Sequence, residues 1–319
     1  MALTGPQNGQ LGIGRESTWG TPVAPSTFLP LLSEDIDLSF DPLIDEAVRA
    51  GRRMQIAEQH QNGNRQVGGS FQTHLYGIGL RKLLQSLMGT ETDPGSGSPT
   101  RAFVYTPGDL SDDPLTVQVN APSSAGNQVK TIEGAMLTGA TWEYRAGQLV
   151  TVTWDLVGED LVRTTSPAAA SYPAAVAHKA VGMVFGLTGS AGTMKSLRMR
   201  FDNGLDVGRY RADSDKRKKP LEAGVRKVEL DVVLEYVDNA AITAHEAHTE
   251  VEANFYTTDG TNTLLWAVHG YVKPGAGQKL NTRTGLLEHT VGIMAFADAA
   301  GGTDADAVTA TYTTSEGVP

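Results

Sequence analysis

Between Gly134 and Asp160 apolar and polar side chains alternate along two long stretches separated by a short polar segment. Successive side chains of an extended chain point to opposite faces. Met136, Ala140, Trp142 and Tyr144 therefore share one surface with Val150, Val152, Trp154 and Leu156, while Thr141, Glu143, Thr151, Thr153 and Asp155 occupy the other. The Arg145–Gln148 segment holds Gly147 and supplies a tight turn. The pattern predicts a long amphipathic β-hairpin, one face buried and the other against water or a polar lumen.

Shorter strands are expected at 31–40 and 67–75, and in RAFVY and LTVQV, with exposed Gly/Pro/Ser-rich loops at 90–99 and 121–128. Leu80, Leu83, Leu84 and Leu87 recur at helical spacing before Gly89, which predicts a helix over about 77–88 whose leucine stripe covers a sheet. Further on, KSLRMRFDNGLDVGRY reads as a second hairpin turning at Asp202-Asn203-Gly204. In RKVELDVVLEYVDN, Val228, Leu230, Val232, Leu234 and Tyr236 alternate with Glu229, Asp231 and Glu235. A short helix over about 239–248 and three more extended stretches follow. The expected fold class is mainly β (α+β), with two related sandwich or barrel units at 31–162 and 178–298 joined by the linker 163–177.

Residues 1–30 lack a sustained period and read as an extended arm, whose apolar islands Leu11, Ile13, Trp19, Phe28 and Leu29 are candidates for docking on a neighbour. Residues 299–319 read as a C-terminal tail or arm.

Composition narrows the function. With 319 residues, a core can form without metal or disulfide staples. A net charge of −10 argues against tight nonspecific adhesion to nucleic acid. The chain has no cysteine, which excludes disulfides and thiolate metal sites. It also lacks both an apolar run long enough to span a bilayer and a basic-then-apolar leader, so synthesis in the cytoplasm and no membrane insertion are expected.

Catalytic signatures are missing. Gly134–Thr141 lacks the lysine of a P-loop, Gly12-Ile13-Gly14 lacks the dinucleotide context, and no G-x-S-x-G occurs. His245, Glu246, His248 and Glu250 form the one metal-like cluster, but H-E-A-H is not H-E-x-x-H, so surface histidines are the expected reading. No enzyme activity, cofactor or metal is expected.

The leader LGIGRESTWGTPVAPSTFLPLLSED, the segment VGGSFQTHLYGIGLRKLLQSLMG, the hairpin GAMLTGATWEYRAGQLVTVTWDLVG and the late GLLEHTVGIMAFA resemble the tail tube protein, or major tail protein, of long-tailed bacteriophages. That resemblance implies a β-sandwich or barrel protomer with flanking helices. It also implies rings of six or pseudo-six symmetry stacked into a hollow virion tail tube. A tape-measure protein would occupy the lumen during assembly, terminator or tip proteins would bound the tube, and DNA would pass transiently and nonspecifically.

Under this expectation Glu143, Asp155, Glu229, Asp231, Glu235, Glu250 and Glu252 are candidate lumen carboxylates, with an ordinary solvated sheet face as the alternative. Lys216, Arg217, Lys218 and Lys219 form a candidate inter-ring loop that pairs with acids on a neighbour. The competing function is a carbohydrate-binding β-sandwich module using Trp19, Trp142, Trp154 and Trp266, although Trp142 and Trp154 sit on strand faces that favour burial. A hydrolytic phage protein ranks third, lacking a positioned acid, nucleophile or metal.

Overall fold

A computed structural model describes residues 9–48, 50–95, 100–110, 114–123, 126–187, 193–235, 238–273, 288–297 and 307–315. Two sheets share one strand. That strand is β9 (Val129–Arg145), which forms the expected hairpin with β10 (Thr151–Gly158) through a turn where Gly147 takes φ +78°. All eight apolar side chains assigned to the hairpin's inner face are buried.

The first half of β9 lies in the smaller sheet, between β8 (Leu115–Asn120) and β11 (Asp160–Thr164). Beyond β8 come β1 (Gln10–Arg15) and β2 (Thr27–Leu29). The second half of β9 runs in the larger sheet between β10 and β13 (Met194–Asp202). At Gly134, between these halves, the backbone has φ +59°, a conformation that side-chain-bearing residues rarely adopt.

The larger sheet continues from β13 to β14 (Lys227–Glu235), β17 (Glu288–Ala295), β16 (Thr263–Val272), β15 (Val251–Thr258) and β12 (Lys179–Leu187). It then returns to its start, since Val150 N–H donates to His178 O (3.0 Å) and Ala180 N–H to Gln148 O (2.9 Å). The strands thus form a closed circuit, which removes free edges along most of its length. Inside, Trp142 of β9 packs edge-on against Trp154 of β10 (5.5 Å between centroids) and Trp266 of β16 (5.0 Å). Tyr144 meets Phe255 in the same way.

One hydrophobic core therefore takes side chains from both sides of the 163–177 linker, and β9 pairs directly with β13 across it. Residues 165–176 carry no strand or helix, and buried side chains before and after them belong to one hydrophobic core. The expected second hairpin differs too: β13 pairs with β14, and 203–226 is an excursion between them. Asn203 holds that excursion down, donating from Nδ2 to Leu87 O and Leu137 O (both 3.0 Å).

Helix α1 (Leu80–Met88) buries Leu80, Leu83, Leu84, Leu87 and Met88, and packs on β9, β6 (Gly89–Thr92) and β7 (Arg101–Pro107). Helix α2 (Ala240–Glu246) packs on β16. Part of the expected C-terminal tail is a strand, β18 (Val308–Thr314), inserted between β16 and β7. Its residues Val308, Ala310 and Tyr312 alternate inward, and a short run of this kind with polar intervening positions is easily read as loop. Tyr236 lies outside the described residues.

Flanking β10 on its other side is β5 (His60–His74), which carries β4 (Asp37–Ile44) and the short β3 (Ser33–Glu34). Only the second half of β5 is covered by β10; the first half and β4 project as a hairpin.

Candidate assembly surfaces

The polar face of β10, β9, β13 and β14 collects five of the seven candidate lumen carboxylates: Asp155, Glu143, Glu229, Asp231 and Glu235. Register interleaves them with cations. Glu143 lies opposite Arg198, which lies opposite Asp231; one step along, Arg200 lies opposite Glu229. Arg145 approaches Glu143 to 3.6 Å, while Lys273 reaches Glu229 at 2.9 Å and Asp231 at 3.9 Å. The face is a striped lattice of both signs, in which opposite charges across strands are mutually favourable. Burial raises the Asp155 carboxyl above the usual carboxylate range, with Arg200 pulling the other way.

Glu250 and Glu252 lie elsewhere, beside His269 of β16 at 3.9 and 3.7 Å. A count of acidic positions missed the stripe of Arg198 and Arg200, although their alternation with Leu197, Met199 and Phe201 in β13 placed them on the outer face.

The basic run is bound to its own chain. Arg217 is buried and donates from Nη1 to Val67 O (2.7 Å) and Gly158 O (3.1 Å), and Lys216 Nζ reaches Asp160 Oδ2 at 2.8 Å. Lys218 pairs with Asp213 at 3.4 Å, and the Lys219 carbonyl accepts from Arg209 (2.7 Å). A run of like charges reads as a solvated loop, yet here two of its cations clamp a sheet junction. Asp160 also takes Arg65 Nη1 at 2.8 Å. Burial works against its ionised form, but Lys216, the Leu161 N–H and Arg65 outweigh it and hold the carboxyl below the usual range.

The N-terminal islands also face inward. Leu11, Ile13, Phe28 and Leu29 are buried within the protomer, on β1 and β2. Period-2 alternation is brief there, and the burying surface, β8, is a hundred residues away in sequence, so local reading had no partner to offer. Trp19 is partly buried and lies over Gly134, where an added Cβ would come within 3.0 Å of its ring. Between these islands, Glu16 is 1% exposed and acts as a hub. Its Oε1 accepts from Thr116 Oγ1 (2.7 Å) and Gly134 N (2.9 Å), and its Oε2 from Gly20 N (3.0 Å). Desolvation raises its pKa, while those three donors work in the opposite direction. This residue pins the bend of the shared strand.

What lies exposed is the hairpin of β4 and β5. Among the described residues β4 has one ladder partner, β5, so its outer edge is open. Leu43, Ile44, Val48 and Met54, near and beyond the strand end, are all exposed. The apolar positions in LIDEAVRAGRRMQIAEQ follow no clean period, which is why pattern reading passed over them.

His245 bonds Val272 O through Nδ1 (2.9 Å), while His248 stacks on Tyr271 (4.6 Å), so the two rings serve separate contacts. No group of three metal-binding side chains occurs among the described residues. Trp142, Trp154 and Trp266 are enclosed and present no ring on which a sugar could stack.

The described residues thus form a closed β circuit from which a hairpin with one open edge projects. A family model described as phage tail tube protein matches residues 6–315, nearly the whole length. The chain belongs to that family, whose members are structural components of the virion tail. No curated protein matches it by sequence.

Proposed function

We propose that this chain polymerises as stacked rings into a hollow tube through which phage DNA passes. The observation that carries the reading is the β4–β5 hairpin, with one open edge and exposed apolar side chains, in a chain of the tail tube family. An open edge is a template for another chain's strand, and ring closure satisfies it without leaving a growing aggregate. The rings have six or pseudo-six symmetry. Assembly takes place in the host cytoplasm around a tape-measure protein, with terminator or tip proteins at the ends.

The face carrying Glu143, Asp155, Glu229, Asp231 and Glu235 is the lumen wall in this reading. Its interleaved cations change the electrostatic argument: DNA slides past a lattice of both signs in which Lys273 is held by Glu229 and Asp231 and Arg198 stands 4.0 Å from Glu143, so few counterions would be released on contact. Glu250 and Glu252 are carried as lumen candidates separately, since they stand apart from the lattice. For the N-terminal segment the proposed contacts rest on Trp19 and its exposed neighbours rather than on Leu11, Ile13, Phe28 or Leu29. For the basic run they rest on Lys218 and Lys219.

Negative-stain electron microscopy of purified protein over a concentration series tests the proposal. Hollow rings or tubes are the expected result. Dispersed monomers at every concentration, with tape-measure and tip proteins supplied, would refute it.

A further inference from the structure

Asparagine followed by glycine is the dipeptide most open to reaction with itself, because glycine has no Cβ to hinder its backbone nitrogen as it approaches the neighbouring side-chain amide. Two such pairs lie wholly within the described residues, Asn62-Gly63 and Asn203-Gly204. Their surroundings are opposite.

Asn203 is 1% exposed and tied at both reacting groups. Its Nδ2 donates to Leu87 O and Leu137 O (both 3.0 Å), and its Oδ1 accepts from Arg226 Nε (2.9 Å). The Gly204 N–H, whose nitrogen would attack, donates to Asp202 Oδ1 (3.0 Å). Asn62 is exposed, and its side chain makes no hydrogen bond among the described residues. Strand pairing slips here as well. In the β4–β5 ladder Asn62 lies opposite Pro42 and Arg65 opposite Phe40, so Gly63 and Asn64 together face Asp41 alone. Two residues against one make a β-bulge, which disrupts the ladder locally, and Pro42 has no N–H to contribute. On the other side of β5, β10 reaches only to Val67, so it does not clamp the Gly63 peptide group.

We propose that Asn62 is a site of spontaneous covalent modification, with solvent water as co-reactant. The Gly63 nitrogen attacks Asn62 Cγ, and the new N–C bond closes a succinimide ring. The bond from Cγ to Nδ2 breaks, and that nitrogen leaves as ammonia with the proton lost from the Gly63 amide. Water then opens the ring at either carbonyl, giving aspartate or isoaspartate; in sum, an amide and water become a carboxylic acid and ammonia. Either product sets a new negative charge on the projecting hairpin. Isoaspartate also lengthens the backbone by one carbon at the bulge.

The test follows the purified full-length chain in mildly alkaline buffer, folded or held unfolded in guanidinium, by peptide mapping. Mass spectrometry reads conversion of amide to acid, and an isoaspartyl methyltransferase reads the isomer. In the folded chain Asn62 should convert about thirtyfold or more faster than Asn203, which must first give up several hydrogen bonds. In guanidinium the two pairs should convert at similar rates. Equal rates in the folded chain, or faster conversion at Asn203, overturn the proposal. So does an Asn62 that converts in guanidinium but stays intact when folded, since the bulge then holds it as firmly as a regular ladder. Asn62→Gln should abolish the signal of the hairpin peptide; a signal that persists belongs to Asn64 and removes Asn62 as the site.

Discussion

Trp142→Ala tests whether the two halves of the chain share a core. Trp142 is fully buried on β9, and its ring stands edge-on to Trp154 from the same half and to Trp266 from the other. Truncating a buried tryptophan to alanine costs about 3–5 kcal/mol. Edge-on aromatic pairs contribute about 0.5–1.5 kcal/mol beyond their area, and two such pairs vanish here, so the expected loss is at the upper end, about 4–5 kcal/mol. That is a large share of a typical stability of about 5–15 kcal/mol. Urea unfolding followed by far-ultraviolet circular dichroism should show one transition, moved as a whole. Trp266→Ala should move the same transition, and the double variant should lose less than the sum, because the two rings touch. A loss under about 2 kcal/mol, or two transitions of which one stays in place, would show that each half has its own core and would refute the reasoning. A milder contrast is Trp142→Phe: Trp142 Nε1 has no hydrogen-bond partner among the described residues, so the lost N–H costs nothing and only volume is missed.

Gly134→Ala should destabilise by about 1–2 kcal/mol through its positive φ alone, and by more if the Trp19 ring cannot withdraw; an unchanged thermal midpoint would contradict the bend. Burial lowers the His178 pKa below its usual value despite Asp259 at 3.8 Å. Its neutral form therefore contributes stability that is complete above about pH 6.5 and is lost as pH falls through the lowered value. His178→Gln should flatten the stability profile between about pH 7 and 5, and an unaltered profile would exclude His178 as its source. Asp160→Asn leaves Arg65 and Lys216 without their shared carboxylate and should cost about 1–3 kcal/mol, in keeping with hydrogen bonds to a charged group. The loss should shrink in high salt, and a salt-independent loss would point to packing instead.

Periodic segments were legible from the residues alone. The β9–β10 hairpin, β14 and the leucine stripe of α1 each carry enough repeats for one face to declare itself. Partnership was not legible. Alternation tells which way Leu197 and Phe201 point, but not that β13 lies between β9 and β14, which makes one core of two sequence halves. Short strands such as β1 and β18 fell below the length at which alternation separates from chance. The surfaces were the hardest part: Lys216 and Arg217 looked solvated because their partners, Asp160 and the carbonyls of Val67 and Gly158, are remote in sequence. Leu43 to Met54 looked ordinary because exposure carries no period.

The placement of β18 bears on when the molecule becomes competent. Ala310 pairs with Tyr105 and Thr314 with Arg101, so the strand β7, made early, waits with an unfilled edge until residues 308–314 have left the ribosome. Closing so long a loop is entropically slow, and comes late in folding. Tyr312 completes the closure by donating its hydroxyl to Gly77 O (2.9 Å), at the entry to α1. A chain cut before residue 308 thus keeps an unfinished wall, in which β16 and β7 have lost the strand that lies between them.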